Sequence, residues 1–240
     1  MADQEVIKHT KKIYKIWNSK EHTFWHKTKE FVLEIFIIVF AVSLSIWLHG
    51  QSEHAHKTQD VKNFLLGMEN DFQNDLKEMK ADREMFLKSK EAFNYIRGLK
   101  MGQRADADTI KKYNNYLFNE TGLLPNNGRF EGFKSSGKIG DIEHLKIQNE
   151  MMDLYQENIP TLVLYTNYYS KKKSALDEFF IKNLRRKSDQ GNNYLDLFSS
   201  EEVYNMSYDL TQVRSIISQY DKCIGNMNSI VSEINKEYKD

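Results

Sequence analysis

Two prolines and one cysteine are all that this chain of 240 residues contains. The scarcity of proline removes the strongest helix breaker, so helices can run long. The single cysteine, Cys223, excludes an internal disulfide, and a chain of this length can stand on an apolar core without one. An excess of one charge is missing too, since 34 Lys and Arg balance 34 Asp and Glu. A neutral chain lacks the basic footprint of a nucleic-acid binder, so no nucleic acid is expected as a partner. Long apolar runs are equally scarce. The mean hydropathy is −0.66, which excludes a bundle of membrane spans. What is plentiful is Lys, Glu, Leu, Ile and Met, the composition of an all-α protein.

The one apolar run is "EFVLEIFIIVFAVSLSIWLHGQ", residues 30–51. No residue from Ile35 to Leu48 is charged. Adding Phe31, Val32 and Leu33 extends the run to 18 residues with Glu34 as the sole interruption. At about 1.5 Å per residue this covers roughly 27 Å, close to the hydrocarbon thickness of a bilayer. Trp25 and Trp47 lie about 33 Å apart on one helix, a spacing that puts an aromatic ring at each interface. Two rival readings exist. A cleaved signal peptide would need a charged leader of about 30 residues and a cleavage triplet later than Ala41-Val42-Ser43. A soluble core helix would need the whole run covered by protein. An uncleaved signal anchor accounts best for the flanks. Seven lysines precede the run (Lys8, Lys11, Lys12, Lys15, Lys20, Lys27 and Lys29), and only Lys57 lies in the dozen residues after it. That asymmetry orients the N-terminus to the cytoplasm.

The chain divides accordingly into a basic amphipathic cytoplasmic segment (1–30), a transmembrane helix (31–50) and an extracytoplasmic, periplasmic helical domain (51–240). In the first segment, Val6, Ile13, Ile16, Trp17, Phe24 and Trp25 are spaced to face lipid while the lysines face phosphate, as in an interfacial helix over 3–28. Glu34 has two readings. It is a carboxylate near the inner edge that reaches water or pairs with Lys29 or Lys27, or it is an intramembrane group that packs a helix or relays protons.

Beyond the span, Val61, Leu65, Met68, Phe72, Leu76, Met79, Phe86, Phe93 and Ile96 recur at helical spacing, so the span is expected to continue as one long helix to about residue 101. A second helix is expected over 107–119, capped by Asp106 or Asp108. The glycine-rich stretch 120–140 reads as the main loop, ending at Asp141 as the cap of a helix that Pro160 kinks or restarts. "RRKSDQGNN" reads as a turn. Ser199 and Glu202 form a capping box that opens a last helix running to about Lys239.

Candidate chemistry is thin. "GFKSSGKI" (132–139) approaches a phosphate loop, but Ile139 stands where Ser or Thr must hold magnesium and no strand precedes it. It reads instead as a tight turn, with Gly137 or Gly140 at positive φ. His49, Glu53 and His56 follow i, i+4, i+7 and could offer zinc ligands, or form a solvated collar at the outer membrane boundary. Cys223 reads as a core or boundary thiol. Lys171, Lys172 and Lys173 read as a solvated patch. Asn119-Glu120-Thr121 and Asn205-Met206-Ser207 match a glycosylation sequon that recurs by chance. No catalytic set converges, and no cofactor or metal is expected.

Two segments carry a resemblance. "EFVLEIFIIVFAVSLSIWLHGQSE" and "RFEGFKSSGKIGDIEHLKIQNEMMDLYQ" resemble the two signatures of a Bacteroidota family of short single-pass inner-membrane proteins, catalogued as a domain of unknown function. The matching positions are Glu34, Phe130, Phe133, Ser135, Ser136, Gly137, Ile142 and Tyr155. "AVSLSIWLHG" departs from the family, where a Gly and an Asn-Asn-Trp-Asn exit are commoner. The resemblance implies an inner-membrane location and a helical periplasmic domain, and no activity. The expectation is a non-enzymatic accessory or assembly subunit that contacts a cell-envelope partner or its own copies. The alternatives are a ligand-binding or sensory bundle, a proton-coupled stator-like anchor using Glu34, and an enzyme.

Overall fold

The computed structural model describes residues 2–18, 24–188 and 191–238. The protein is all-α, with no strand among the described residues. It separates into two compact units, Met1–Asp60 and Val61–Asp240.

The first unit holds α1 (Ala2–Asn18) and the first part of α2 (Phe24–Arg97). The basic helix expected over 3–28 is therefore divided between these two elements, and its residues 19–23 lie outside the described residues. The side-chain readings at Val6, Ile16, Trp17 and Lys27 lie outside them too. Ile13 is half-buried, and Phe24 is exposed.

The second unit is built on three long helices. After α2 come α3 (Ala107–Phe118), α4 (Gly128–Ser135), a 3-10 turn (Lys138–Asp141) and α5 (Leu145–Asp153). A π-turn (Leu154–Asn158) joins α5 to α6 (Ile159–Asn183). The short α7 (Tyr194–Leu197), α8 (Glu201–Leu210) and α9 (Arg214–Tyr238) complete it. Buried residues on α2 step by four and three: Val61, Leu65, Met68, Phe72, Asp75, Met79, Asp82, Phe86, Ser89, Phe93 and Ile96. The same steps run through Leu162, Thr166, Tyr169, Lys173, Leu176 and Phe180 on α6, and Ile216, Tyr220, Cys223, Met227, Ile230 and Ile234 on α9. A repeat of 3.5 residues keeps one stripe of each helix facing its neighbours, which is how left-handed bundles fill their cores. The π-turn absorbs a local mismatch. Its wide turn brings Ile159 N–H to Leu154 O, just before Pro160, whose missing N–H would otherwise leave a gap in the helical ladder.

Four local expectations need correction. The glycine-rich stretch 120–140 contains a helix, α4, because Phe130 anchors it in the core against Tyr155, with ring centroids 4.4 Å apart. Asp141 belongs to the 3-10 turn, and α5 is capped by His144, whose side chain accepts from Ile147 N–H at 3.3 Å. Ser200 rather than Ser199 caps α8, accepting from Val203 N–H at 3.3 Å, while Ser199 Oγ donates to Asp196 O. The last helix is broken at 211–213 into α8 and α9 with no proline or glycine. Thr211 Oγ1 donates to Tyr208 O at 2.7 Å, and Tyr169 OH donates to Leu210 O at 3.0 Å. Two released carbonyls are thus satisfied by hydroxyls, and the break can stay buried.

Candidate functional site

In the first unit the apolar run is wound into α2 with its side chains outward. Phe31, Val32, Leu33, Ile35, Phe36, Ile37, Val39, Phe40, Val42, Leu44, Ile46, Trp47 and Leu48 are all exposed. Only 6% of the most apolar window is buried, and this helix alone among the described residues is long and apolar enough to cross a membrane. A water-facing surface of this kind is costly, since each large apolar side chain gains about 1.5–3 kcal/mol on leaving water. Trp25 is 80% exposed and Trp47 is 59% exposed, one at each end of the run.

Glu34 is the exception to this outward pattern, at 2% exposure. Its Oε1 meets Lys12 Nζ of α1, 22 residues earlier in the chain. This partner comes from a different helix, which no spacing argument along α2 could reveal, and the side chain of Lys27, one of the two partners expected, lies outside the described residues. Lys29 is exposed, and the carboxylate holds the Lys12 ammonium above its ordinary value. The contact therefore ties α1 to the N-terminal part of the apolar run.

No protein-family model, curated protein or solved structure matches the chain. Its chemistry has to be read from its own side chains.

His49, Glu53 and His56 are all exposed, and Glu53 pairs with Lys57 at 2.9 Å rather than turning to the histidines. Among the described residues no group of three His, Cys, Asp or Glu side chains is arranged to hold a metal. Ser135, Ser136 and Gly137 form the end of α4. Ser135 Oγ donates to Gly132 O, Ser136 Oγ to Phe133 O, and Gly137 N–H to Lys134 O at 2.9 Å. Gly137 takes φ +76°, the left-handed conformation that stops the helix, so all three residues serve a turn. Cys223 is fully buried, and burial pushes its thiol up to about 11, which leaves almost no thiolate at neutral pH.

The second unit holds a set of buried polar groups that the sequence reading passed over. Asp75, Asp82 and Ser89 occupy core positions of α2 one heptad apart; Ser89 holds the end of α3, and the two acids hold the connection from α3 to α4. Ser89 Oγ donates to Tyr116 O at 2.9 Å. Asp82 accepts from Thr121 Oγ1 and, at 3.2 Å, from Tyr220 OH of α9. Asp75 accepts from the side-chain amide of Asn126 and from its N–H at 3.2 Å. Between them Glu78 accepts from Leu124 N–H at 3.0 Å. The non-helical segment 119–127 is therefore strapped antiparallel to α2.

Lys173 belongs to the same device. Read as part of a solvated patch, it is instead 3% exposed. It continues the four-three stripe of α6 from Tyr169 to Leu176, while Lys171 stays exposed and Lys172 pairs with Asp209 at 2.6 Å. Its ammonium donates to Tyr116 O and Asn119 O, both at 2.7 Å, and so caps the end of α3. Burial pushes it down to about 8. These buried carboxylates and the lysine are spent on backbone and side-chain partners, an arrangement that fastens a loop rather than one that moves protons to a substrate.

Proposed function

We propose that this protein is a single-pass inner-membrane protein that works as a non-enzymatic accessory or assembly subunit of a cell-envelope complex. The apolar run 31–50 spans the bilayer, residues 1–30 stay cytoplasmic, and residues 51–240 form the periplasmic part that meets a protein partner. The observation that carries this reading is the outward apolar surface from Phe31 to Leu48, which only lipid or another apolar surface can cover. The lysines ahead of the run supply the orientation. The resemblance to the Bacteroidota single-pass family supports the same compartment. Asp75, Asp82 and Lys173, the charged groups on the core stripes of α2 and α6, already have partners within the chain, which argues for binding over catalysis.

The pairing of Glu34 with Lys12 favours a packing role over proton relay, because it is spent on joining two helices. The test is extraction of the tagged full-length protein from native membranes in a mild detergent, followed by sizing and mass spectrometry. A second protein in stoichiometric amount is the expected result. A lone monomer or homo-oligomer would reject the subunit reading in favour of a ligand-binding bundle.

A further inference from the structure

A cleft of about 250 Å³ lies between the end of α2, the turn that follows it and the start of α8. That is below the roughly 300–1,000 Å³ of small-molecule sites, so the cleft has room for one large side chain rather than for a ligand. Its floor is buried and is made by Ile96 of α2 and Phe198. Its rim is open. Leu99 is half-buried, Tyr204 is exposed, and Met101 in the turn is 80% exposed.

We propose that this cleft is where an amphipathic helix of the envelope partner docks, seating one large apolar side chain between Met101 and Tyr204. Tyr, Met and Arg are the residue types that interfaces concentrate, and all three gather here. Charge then says how the partner lies. Glu201, Tyr204 and Tyr208 stand at i, i+3 and i+7 on one face of α8, and all three are exposed. The row begins at the Glu201 carboxylate. It ends where the Arg97 guanidinium lies over the Tyr208 ring, 4.9 Å from its centroid. About 10 Å of helix separates Glu201 from Tyr208. Neither Glu201 nor Arg97 has an ion pair among the described residues.

Arg97 carries the argument furthest. Its Nε is buried without an acceptor, while its terminal nitrogens stay accessible and have none either. The carbonyl end of the α2 dipole explains a cation at this position, but it leaves the guanidinium's planar fork of donors unused. Stacking on Tyr208 holds that plane in place, so the fork is pre-set for a carboxylate. The partner's face follows from the spacing. It offers a basic residue to Glu201, a large apolar residue three or four positions on, and an acid seven positions from the base, all on one side of a helix. This inference rests on the subunit reading and adds to it the face that the partner meets.

The test places a photo-cross-linking p-benzoylphenylalanine at Met101 of the full-length chain in its native host, with the equally exposed Leu124 as the control position. Irradiation of intact cells is expected to join position 101, and not position 124, to a peptide of a second protein that carries base, apolar residue and acid on one helical face. In mild-detergent extracts, Met101→Asp and Arg97→Glu are each expected to lower recovery of that protein at least tenfold. Met101→Asp lies on an exposed turn and leaves the core alone, so it decides the matter if Arg97→Glu lowers Tm. Changing the partner's facing acid to Lys should restore binding to Arg97→Glu. Full recovery of the partner in Met101→Asp would overturn the proposal and leave the subunit reading standing, whereas no second protein in the wild-type extract would remove both. No cross-link at position 101, a cross-link there only to lipid or to another copy of this chain, an equal cross-link at position 124, or a cross-linked peptide without the expected face would each overturn the proposal as well.

Discussion

Lys173 shows how much one side chain can decide. A long cation sits at a core position because two carbonyls at the end of α3 need donors. Replacing it by Met keeps most of the volume but leaves Tyr116 O and Asn119 O without this donor. The expected cost is about 1–3 kcal/mol, the range for orphaned buried acceptors, measured by chemical denaturation in detergent. The pH dependence has a definite sign. The folded value is lowered to about 8 from the ordinary 10.5. Between those two values the unfolded chain holds a proton that the folded chain has shed, so stability rises with pH across this window. Lys173→Met should lack that rise. A wild-type curve no steeper than the variant's between pH 8 and 10 would mean that the ammonium is not desolvated as its burial implies. Glu233 works in the opposite limb. Lys146 and Lys236 hold it down to about 2, so the stability it contributes is complete above its ordinary 4.5 and lost as pH falls towards 2. Glu233→Gln is expected to flatten the acid side of the unfolding curve.

Elements were legible where one physical signal spoke alone. The long α2 followed from its apolar spacing, and α3 from a short periodic run behind Asp106 and Asp108, of which Asp106 is the cap, its Oδ1 accepting from Thr109 N–H at 2.8 Å. They were hidden where a core position holds a polar residue. Asp75 and Asp82 stand on the stripe of α2, and an apolar search steps past them to Leu76 and Met79. Lys173 disappears in the same way among three lysines. α4 is masked by its glycines, and the break at 211–213 has no breaker in the sequence, only hydroxyls that satisfy the released carbonyls. The strap over 119–127 therefore becomes the element to test. In Asp75→Ala, the Asn126 amide loses its acceptor, so hydrogen exchange within 119–127 should quicken at least tenfold while α9 keeps its protection. Equal loss of protection in α9 would show that Asp75 supports the core as a whole rather than the strap. The first unit has its own element-scale test. If Lys12 and Glu34 tie α1 to α2, trypsin should cut after Lys8 and Lys11 several-fold faster in Glu34→Gln nanodiscs, and the exchange of both charges, Lys12→Glu with Glu34→Lys, should restore protection. Equal cutting in all three proteins would remove the tie.

At the scale of the whole molecule, everything turns on which side of a bilayer the two ends of the chain lie. The apolar surface of α2 requires a cover, and the lysines of residues 1–30 set a direction, but orientation is a property of the inserted chain and needs its own measurement. The structure simplifies that measurement. Cys223 is buried in the stripe of α9 with its thiol pushed up to about 11, so the native cysteine is expected to stay silent towards maleimides in the folded protein. A single Asp240→Cys substitution in the otherwise natural chain then reports topology without disturbing the core, as Cys223→Ser would by burying a hydroxyl with no partner. In spheroplasts, a membrane-impermeant maleimide should label Asp240→Cys fully and the unsubstituted chain not at all. A second variant, Asn18→Cys, should react only after the membrane is opened. The reverse pattern would invert the protein, moving the bundle into the cytoplasm and replacing a cell-envelope partner with a cytoplasmic one. Labelling of both positions in intact spheroplasts would mean that residues 31–50 do not cross the bilayer, and the outward apolar surface would then have to be an interface with another protein.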